Sequence, residues 1–385
     1  MKSYDIIIVG GGASGLSLAT HLSHSPLRDR SILIVDKDAK DQNDRTWCFW
    51  ANQPTLFDDI VYRSWNQLQV LGDHFEKTLD LQEYRYNMIR GIDFYRFARH
   101  RASECPHVEF LCGDVERIRD GDQQANVVVD GQEFAGTWVF DSRFNWSTFK
   151  PDLTHYHVIK QQFKGWEIEV GGQPFNPEAA TFLDFRTPQN DGTHFFYMLP
   201  ISKHYALVES VLCITTPICW EHCNRALQNY LNSVLGIKSY TILREEQGIN
   251  PLTDWRFPRR LGKHIMAIGN HGGMVKPSTG FAFLRIQEDS SAIIHSLLTA
   301  GHPFNVPPVS RRYRYFDAVM LEIMSQHAES IEPIFLSLFK HNTAKRIFRF
   351  LDETASFGEN VLMMPSLPPQ LLWQALLQLG AVRWV

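Results

Sequence analysis

The sequence predicts an α/β fold in which a nucleotide-binding domain is interleaved with a mostly antiparallel β-sheet domain and followed by C-terminal helices. Three observations indicate this arrangement. A β-branched run, Tyr4–Val9, leads into a glycine-rich turn and a helical pattern. Strand-like alternation dominates from about 156 to 212. A second strand that ends in glycine, at 263–269, then returns the chain to the first domain before amphipathic helices begin near Arg311.

The glycine-rich turn has the spacing of a dinucleotide-binding site. Gly10, Gly12 and Gly15 form a G-x-G-x-x-G motif between a strand and a helix. Gly10 permits the tight turn, Gly12 lets the backbone approach a pyrophosphate, and Gly15 allows close packing of helix on strand. The second strand, Ser31–Val35, ends at Asp36, whose carboxylate can accept hydrogen bonds from ribose hydroxyls. The sequence therefore predicts a Rossmann-type domain at this end of the chain.

The composition is that of a folded protein with a large core. The chain has 385 residues, of which 44% are hydrophobic, and 38 Lys+Arg stand against 42 Asp+Glu for a formal charge of −4. Because nucleic-acid-binding proteins usually carry a basic excess, no nucleic-acid partner is expected. The 26 Phe outnumber the 10 Trp and 12 Tyr combined, which raises the question whether all of them belong to a core.

Neither a secretory signal nor a membrane-spanning segment is predicted. The first apolar run is too short for a signal peptide, and no stretch approaches the roughly 20 apolar residues that span a bilayer. The six Cys are scattered and form no C-x-x-C pair, so free thiols are expected rather than a metal site. These features favour a reducing, cytoplasmic environment.

Changes of pattern along the chain divide it into four predicted segments. Residues 1–150 form the first part of the nucleotide-binding domain, and 151–250 form the sheet domain on which a substrate would bind. Residues 251–310 return to the nucleotide-binding domain, and 311–385 form a helical C-terminal region. Because no long linker separates these segments, the two domains are predicted to be interleaved.

Several segments resemble the flavin-dependent bacterial lycopene β-cyclases, within the FAD-binding, hydroxylase-like flavoproteins. Besides the glycine motif with Asp36, the resemblance rests on Arg45–Phe49, Phe140–Arg143, Tyr197–Pro200 with Ala206–Glu209, Leu243–Gly248, and Pro277–Phe281. The segments Leu243–Gly248 and Pro277–Phe281 are the most specific. Two positions depart from the pattern. Ser210 follows Glu209 where many family members carry an acid or Thr, and Asn270 follows Gly269 where many flavoproteins carry Asp.

The resemblance implies a redox-neutral cyclisation of the linear ψ-ends of lycopene, or of a related linear carotenoid, to the β-rings of γ-carotene and β-carotene. Such an enzyme is an intramolecular lyase in carotenoid biosynthesis, with FAD in its reduced form and NAD(P)H as a transient reductant. The reaction needs an acid, a dry pocket that protects a carbocation, and a base. The alternative is an FAD-dependent monooxygenase or reductase acting on a hydrophobic polyene or isoprenoid.

Two glutamates are the catalytic candidates. Glu209 ends a predicted strand after three apolar residues, where burial would raise its pKa and keep it protonated; a solvated strand end is the alternative. Glu246 is the second candidate, because adjacent acids Glu245 and Glu246 point to opposite faces of a strand and at most one faces the pocket. An ion pair with Arg244 is the alternative for Glu246.

Further cofactor contacts are implied by the resemblance beyond the glycine motif and Asp36. The candidates are Arg45, Asp141, Gly269, Pro277 and Gly280. Arg45 could reach a phosphate or only pair with Asp41 or Asp44. Asp141 could close the nucleotide site or only end a strand. The loop at 272–280 could place backbone N–H groups beside the flavin, or be a simple loop-to-helix turn.

A membrane surface is an expected partner, because lycopene is insoluble in water. The candidate contacts are Ile347–Leu351 and Leu371–Leu377 in the C-terminal region. Basic residues lie near the first of these, at Lys340, Lys345, Arg346 and Arg349. Packing on the protein's own body is the alternative. A peripheral position on the inner face of the cytoplasmic membrane is therefore expected, with the oligomeric state open.

Overall fold

The computed structural model describes residues 1–383, without the side chains of residues 372, 376 and 379–383. The strands, numbered in chain order, are β1 (Lys2–Val9), β2 (Ile32–Asp36), β3 (Thr46–Ala51), β4 (Arg63–Trp65), β5 (Gln67–Gly72), β6 (Phe75–Asp80), β7 (Arg85–Arg90), β8 (Val108–Cys112), β9 (Val115–Arg119), β10 (Ala125–Val129), β11 (Gln132–Asp141), β12 (Val158–Val170), β13 (Ala179–Asp184), β14 (Thr193–Pro200), β15 (Tyr205–Ile214), β16 (Tyr240–Thr253) and β17 (Ile265–Ala267). The helices are α1 (Ala13–Ser23), α2 (Gly91–Ser103), α3 (Trp220–Asn229), α4 (Phe283–Ala300), α5 (Arg311–Gln326), α6 (Ile331–His341), α7 (Ala344–Leu351), α8 (Phe357–Met363) and α9 (Pro369–Arg383).

The first sheet is the predicted nucleotide-binding sheet. Its strand order is β8-β2-β1-β11-β10-β9, and β17 pairs with β11. The strands β8, β2, β1, β11 and β17 run parallel, which confirms that the chain returns to this sheet after the second domain. Because parallel strands end at the same edge, Gly10, Asp36 and Asp141 come together where β1, β2 and β11 stop.

The second sheet has the order β16-β12-β15-β14-β13-β5-β6 and is antiparallel except where β13 pairs with β5. This confirms the predicted mostly antiparallel sheet. Strands β5 and β6, however, lie within the stretch 1–150 that was predicted for the nucleotide-binding domain. They join the second sheet because the alternating side chains Leu68 and Val70 are buried in the core beneath it. The two sheets therefore exchange segments along the chain more often than the pattern indicated.

A small third sheet, β3-β7-β4, connects the two large ones. Its strand β3 was not predicted from the sequence. The strand pairs with β7 in antiparallel register and carries Thr46 at its start and Trp50 near its end. Thr46 contacts the second sheet through Glu246, whereas Trp50 contacts the C-terminal helices through Phe348. This strand therefore fixes the positions of the second sheet and of the C-terminal helices relative to the nucleotide-binding domain.

The C-terminal region is helical, as predicted, and α6 and α7 pack beneath the second sheet. Ile347 and Phe348 are fully buried, and the Phe348 ring stacks on Trp50 with centroids 4.8 Å apart. The prediction that Ile347–Leu351 contacts a membrane is therefore wrong for these side chains, because the apolar face of α7 is directed into the core. Within residues 1–383, no helix has both the length and the apolar sequence that a membrane crossing requires.

Asp352, which follows α7, is a buried acid with a predicted effect on stability. Trp50 Nε1 donates to its Oδ1 at 2.7 Å, and burial raises the pKa of Asp352 to about 7. The folded chain therefore holds a proton that the unfolded chain releases between about pH 4 and 7, so this group lowers stability as the pH rises through that window. We expect Asp352→Asn, which keeps the acceptor oxygen, to raise the free energy of unfolding at pH 8 by on the order of 2 kcal/mol, with little change at pH 4.

Urea denaturation at pH 4 and pH 8 measures this difference. Asp122→Asn is the matched control, because the side chain of Asp122 is 93% exposed. An equal effect of Asp352→Asn at both pH values would contradict the explanation.

Candidate active site

A cavity of about 720 Å³ lies between the glycine turn of the first sheet and one face of the second sheet. At one end it is formed by Gly12 and Ser14, at the N-terminus of α1. At the other end it is formed by Leu207, Glu209 and Val211, which lie on one face of β15. The predicted nucleotide motif and the predicted catalytic acid therefore open into the same space.

The glycine turn has the close contacts that its motif requires. Gly10 adopts a φ of +98°, and a Cβ added there would lie 2.1 Å from Oγ of Ser142. A Cβ added at Gly15 would lie 1.9 Å from the carbonyl oxygen of Gly10, so α1 packs directly on the turn. At Gly12 an added Cβ would meet no described atom within 4 Å. No described side chain caps α1, so its first amides face the cavity, an arrangement that favours an anion.

Asp36 lies on the other side of the glycine turn. Its Oδ2 accepts a hydrogen bond from the Gly11 amide at 2.5 Å, and its Oδ1 accepts one from Asp38 at 2.8 Å. With Gly11 and Arg99 it lines a separate pocket of about 160 Å³. The turn is therefore flanked by a small pocket at Asp36 and by the large cavity at Gly12.

Two further predicted cofactor residues line the large cavity. Arg45 lines the cavity, and its Nε also donates to Oδ2 of Asp44 at 3.0 Å. The ion pair with Asp44 therefore leaves Arg45 in the cavity wall. Gly280 lines it with a φ of +83°, and a Cβ added there would lie 2.0 Å from Oε1 of Gln161. Only glycine therefore suits the conformation and the space at position 280.

The other three candidates support the wall without lining the large cavity. Both carboxylate oxygens of Asp141 accept hydrogen bonds from Arg143, at 2.9 and 3.0 Å, and its neighbour Ser142 lines the cavity instead. Gly269 has a φ of +61°, and a Cβ there would lie 2.2 Å from Oγ of Ser14. Pro277 lies in the loop between β17 and α4, outside the lining of the cavity.

Glu209 lies in the middle of β15, so the prediction that it ends a strand is wrong. The strand continues to Ile214, because residues 210–214 are all buried and pair with β12 on one side and, as far as Cys213, with β14 on the other. In register, Glu209 lies opposite Tyr197 of β14 and opposite Gly165 of β12. The glutamate is therefore enclosed by neighbouring strands on both sides and reaches open space only through the cavity.

Glu209 and Glu246 form a hydrogen-bonded carboxyl pair across Gly165. Gly165 of β12 lies in register between Glu209 of β15 and Glu246 of β16. A Cβ added at Gly165 would lie 3.0 Å from Cγ of Glu246 and 3.1 Å from Cδ1 of Leu207, so the missing side chain makes room for the pair. Burial, reinforced by the neighbouring Glu246, raises the pKa of Glu209 well above its ordinary range. The raised pKa favours the protonated form of Glu209, which can share its proton with Glu246.

Arg244 holds the second member of the pair. Oε2 of Glu246 accepts hydrogen bonds from Nη1 of Arg244 at 2.7 Å and from Oγ1 of Thr46 at 3.0 Å. Nη2 of the same arginine donates to Oε1 of Glu167 at 2.5 Å, and the Tyr205 hydroxyl donates to the other oxygen of Glu167. One guanidinium group thus holds the carboxylates of both Glu246 and Glu167 by charge-assisted hydrogen bonds.

The sequence predicts which side of β16 takes part in this site, but not the residues that other strands contribute. Glu245 points away from Glu246, is half exposed, and pairs with Lys164 at 2.6 Å, which confirms the expected alternation. The ion pair with Arg244, the alternative interpretation of Glu246, is present, and Glu246 is not among the residues that line the large cavity. The i, i+2 spacing of Arg244 and Glu246 signals a shared face, whereas the contributions of Thr46 and Gly165 depend on strand register.

Aromatic side chains enclose the space in front of Glu209. Tyr86, Phe163, Tyr197 and Phe281 line the cavity together with Leu207. Burial raises the pKa of both tyrosines, so their hydroxyls stay neutral. Aromatic faces attract a cation when water is excluded. The site therefore combines a carboxyl group of raised pKa with surroundings that can stabilise positive charge.

Residues 5–376 match the family described as lycopene cyclase protein. The lycopene beta-cyclase of Pantoea ananas is 24% identical over 294 residues, which cover 72% of this chain and 71% of the relative. The neoxanthin synthase of Solanum tuberosum is 24% identical over 309 residues, and the lycopene beta cyclase of Arabidopsis thaliana is 25% identical over 313. Each plant match covers 73% of this chain but only 58% and 57% of the relative's length.

Solved structures share the fold at low sequence identity. A flavoprotein/dehydrogenase from Cytophaga hutchinsonii superimposes with a TM-score of 0.66 at 12% identity, over 99% of this chain and 100% of that one. A geranylgeranyl bacteriochlorophyll reductase-like protein from Thermoplasma acidophilum gives a TM-score of 0.63 at 11% identity, over 98% and 100%. At this identity the likeness concerns the fold alone. With the family match over nearly its whole length, the chain belongs to the lycopene cyclase family.

Proposed function

We propose that this chain cyclises the linear ends of lycopene, or of a related linear carotenoid, to β-rings in a redox-neutral reaction of carotenoid biosynthesis. The observation that carries the proposal is the Glu209–Glu246 carboxyl pair, of which Glu209 lines, beside an aromatic wall, the cavity that also holds the nucleotide motif. Family membership supports it, as does the name of the Pantoea ananas relative.

Glu209 is the proposed acid. Its proton adds to the terminal double bond of the substrate and leaves a tertiary carbocation, while Glu209 becomes a carboxylate. Before this transfer the group of Glu209, Glu246, Arg244 and Glu167 carries one net negative charge, and afterwards it carries two. The developing cation therefore meets a growing negative charge at short range, which stabilises it electrostatically.

The same pair then serves as the base. Ring closure transfers the positive charge to a ring carbon, and loss of the adjacent ring proton forms the double bond of the β-ring. The proton returns to the Glu209–Glu246 pair, which regains its starting state. One proton enters and one leaves, so the product is an isomer of the substrate. Tyr86, Phe163 and Tyr197 would exclude water, which would otherwise trap the cation.

The residues around the glycine turn fit FAD. The uncapped start of α1 and the open space at Gly12 suit a pyrophosphate, the pocket at Asp36 suits the adenosine end, and Gly280 leaves room beside Gln161. When bound in its reduced form, FAD would supply a negatively charged ring system close to the cation. We infer that NAD(P)H acts only as the reductant that maintains this form.

Expression in a lycopene-accumulating bacterial host tests the proposed function. Chromatography and mass spectrometry of the pigments should show ring-bearing products with the mass of lycopene. A gain of two hydrogens would instead support a reductase, and a gain of one oxygen a monooxygenase; either result would contradict a cyclase.

We further propose that α8 and α9 contact the membrane from which the substrate is taken. Their exposed apolar side chains, with the exposed fraction of each, are Phe357 (70%), Val361 (50%), Leu362 (60%), Trp373 (67%) and Leu377 (68%). Part of the segment Leu371–Leu377 is thus exposed and can contact a membrane, whereas the apolar side chains Ile347 and Phe348 of α7 are buried in the core. The predicted basic contribution is partly neutralised, because Lys345 pairs with Glu83 and Arg349 with Glu359. An apolar contact is therefore expected to dominate over charge, on the inner face of the cytoplasmic membrane.

Vesicle flotation tests this contact. We expect the double variant Phe357→Asp with Leu362→Asp to lower the fraction bound to lipid vesicles at least about tenfold, because two large apolar groups no longer partition into the interface. Leu153→Asp is the matched control, since Leu153 is 72% exposed in another part of the chain. An equal loss in the control would place the lipid contact elsewhere.

A further inference from the structure

Phe281 occupies a junction between three cavities. Among the residues that the structure describes, it alone lines the large cavity at Glu209, a second cavity of about 300 Å³ and a third of about 50 Å³. It directly follows Gly280 at the end of the loop that the sequence singled out. The side chain of Phe281 therefore forms part of the wall that separates these spaces.

The backbone of Phe281 is fixed, whereas its ring lies between two other rings. Its carbonyl oxygen accepts a hydrogen bond from the Lys276 amide at 3.0 Å, which closes the loop. The ring meets Trp50 edge-on with centroids 4.6 Å apart, and faces Phe182 at 6.1 Å with planes 17° apart. Trp50 is itself held by Asp352. A rotation of the Phe281 side chain would therefore change the wall without moving the loop.

The two smaller cavities differ in chemistry. The second cavity has an apolar lining that includes Phe283 and Pro307, but it also carries the charged side chains of Lys276, Arg285, Glu288, Asp289 and Glu353. The third lies between the second sheet and the C-terminal helices and is lined mainly by apolar side chains, among them Phe182, Phe195, Leu338, Phe339, Ile347 and Leu351. A long hydrocarbon chain is stabilised by an apolar lining. In the second cavity the chain would displace the water that hydrates the charged side chains, which costs free energy.

The proposed substrate would share the cavity at Glu209 with the proposed FAD. One end of a linear carotenoid must reach Glu209, but the same cavity continues to the nucleotide motif at Gly12 and Ser14. The remainder of the chain must therefore leave through the wall. The third cavity is the apolar exit, and its outer residues Phe335 and Leu351 are partly exposed beside α6 and α7.

We propose that Phe281 is a gate whose side chain admits the polyene from the cavity at Glu209 into the apolar space beneath α6 and α7, and so determines the length of substrate that binds. The inference rests on the proposed function. It assigns to Phe281 a role in substrate specificity, without contact with the proton that is transferred.

The test compares two substrates in the same lipid vesicles: a full-length linear carotenoid, and a half-length polyene with a single linear end. In Phe281→Trp the larger ring obstructs the gate, so the ratio of kcat/KM for the full-length substrate to kcat/KM for the half-length substrate should fall about tenfold, whatever loss the two substrates share. In Phe281→Leu the passage widens, and the ratio of the two kcat/KM values should shift towards the full-length substrate. Flavin absorbance and Tm establish that each variant is folded.

The outcomes separate the gate from the chemistry. Equal losses with both substrates in Phe281→Trp, or an unchanged ratio in Phe281→Leu, would overturn the gate; the second variant decides if the first does not fold. Phe304→Trp, at a partly buried phenylalanine beside Trp138, should leave the ratio as in the unmodified chain. If the unmodified chain cyclises neither substrate, the proposed function fails, and the gate fails with it.

Discussion

Glu209→Gln is expected to abolish ring formation while the protein keeps its fold and its flavin. Glutamine preserves the size of the side chain but has no acidic proton, and general acid–base catalysis contributes roughly 10²–10⁴-fold to a rate. Because Glu209 lies opposite Gly165 and Tyr197, the amide can remain in the same position. The loss of activity is measured as the amount of product that the purified protein forms from vesicle-bound lycopene, and flavin absorbance shows that the cofactor is retained.

Two further results distinguish Glu209 from a residue that only supports the fold. Glu245→Gln is the matched control, because Glu245 is adjacent to the pair in sequence but faces the opposite side and contacts Lys164. It should retain activity. Since burial raises the pKa of Glu209 and only the protonated form donates, the rate should decline as the pH rises through that raised pKa. Full activity in Glu209→Gln would exclude Glu209 as the acid.

Arg244→Gln is expected to lower the free energy of unfolding by about 3–5 kcal/mol, because removal of one partner leaves buried charges uncompensated. In this case two carboxylates, those of Glu246 and Glu167, lose the same cation. Urea denaturation of Arg244→Gln beside the unmodified chain measures this loss.

A second substitution provides the control for Arg244. In Arg244→Gln combined with Glu167→Gln, one of the two uncompensated charges is gone, so part of the stability should return. The single variant should also lose activity, since the guanidinium of Arg244 no longer holds Glu246 in place beside Glu209. A loss of less than about 1 kcal/mol, typical of an exposed ion pair, would contradict the picture of a buried network.

The nucleotide-binding half of the site is the part that sequence reasoning predicts best, because its information is local. Gly10, Gly12 and Gly15 lie within six consecutive positions, and Asp36 ends the next strand, so spacing alone determines their arrangement. The carboxyl pair is different. Glu209 and Glu246 meet because β12 lies between β15 and β16 with Gly165 in register, and no single segment contains that information.

Amphipathic segments were predicted less well, because a buried face and a membrane-facing one have the same pattern. The apolar side chains of α7 pack on Trp50 and the second sheet, whereas exposed Phe357 and Leu362 of α8 carried no distinct signal. The abundance of Phe has the same ambiguity. Phe163 and Phe281 line the cavity, while Phe339 and Phe348 belong to the core, and only the position in the fold separates the two roles.

The most direct test of acid–base cyclisation is the mass of the product formed in deuterium oxide. Protonation of the terminal double bond by the exchangeable proton of Glu209, followed by loss of a carbon-bound ring proton, leaves one solvent-derived hydrogen in each ring. The product should therefore have the mass of lycopene when formed in ordinary water, and should gain one deuterium per ring in deuterium oxide. A ring-bearing product without deuterium, or a mass change in ordinary water, would contradict the mechanism.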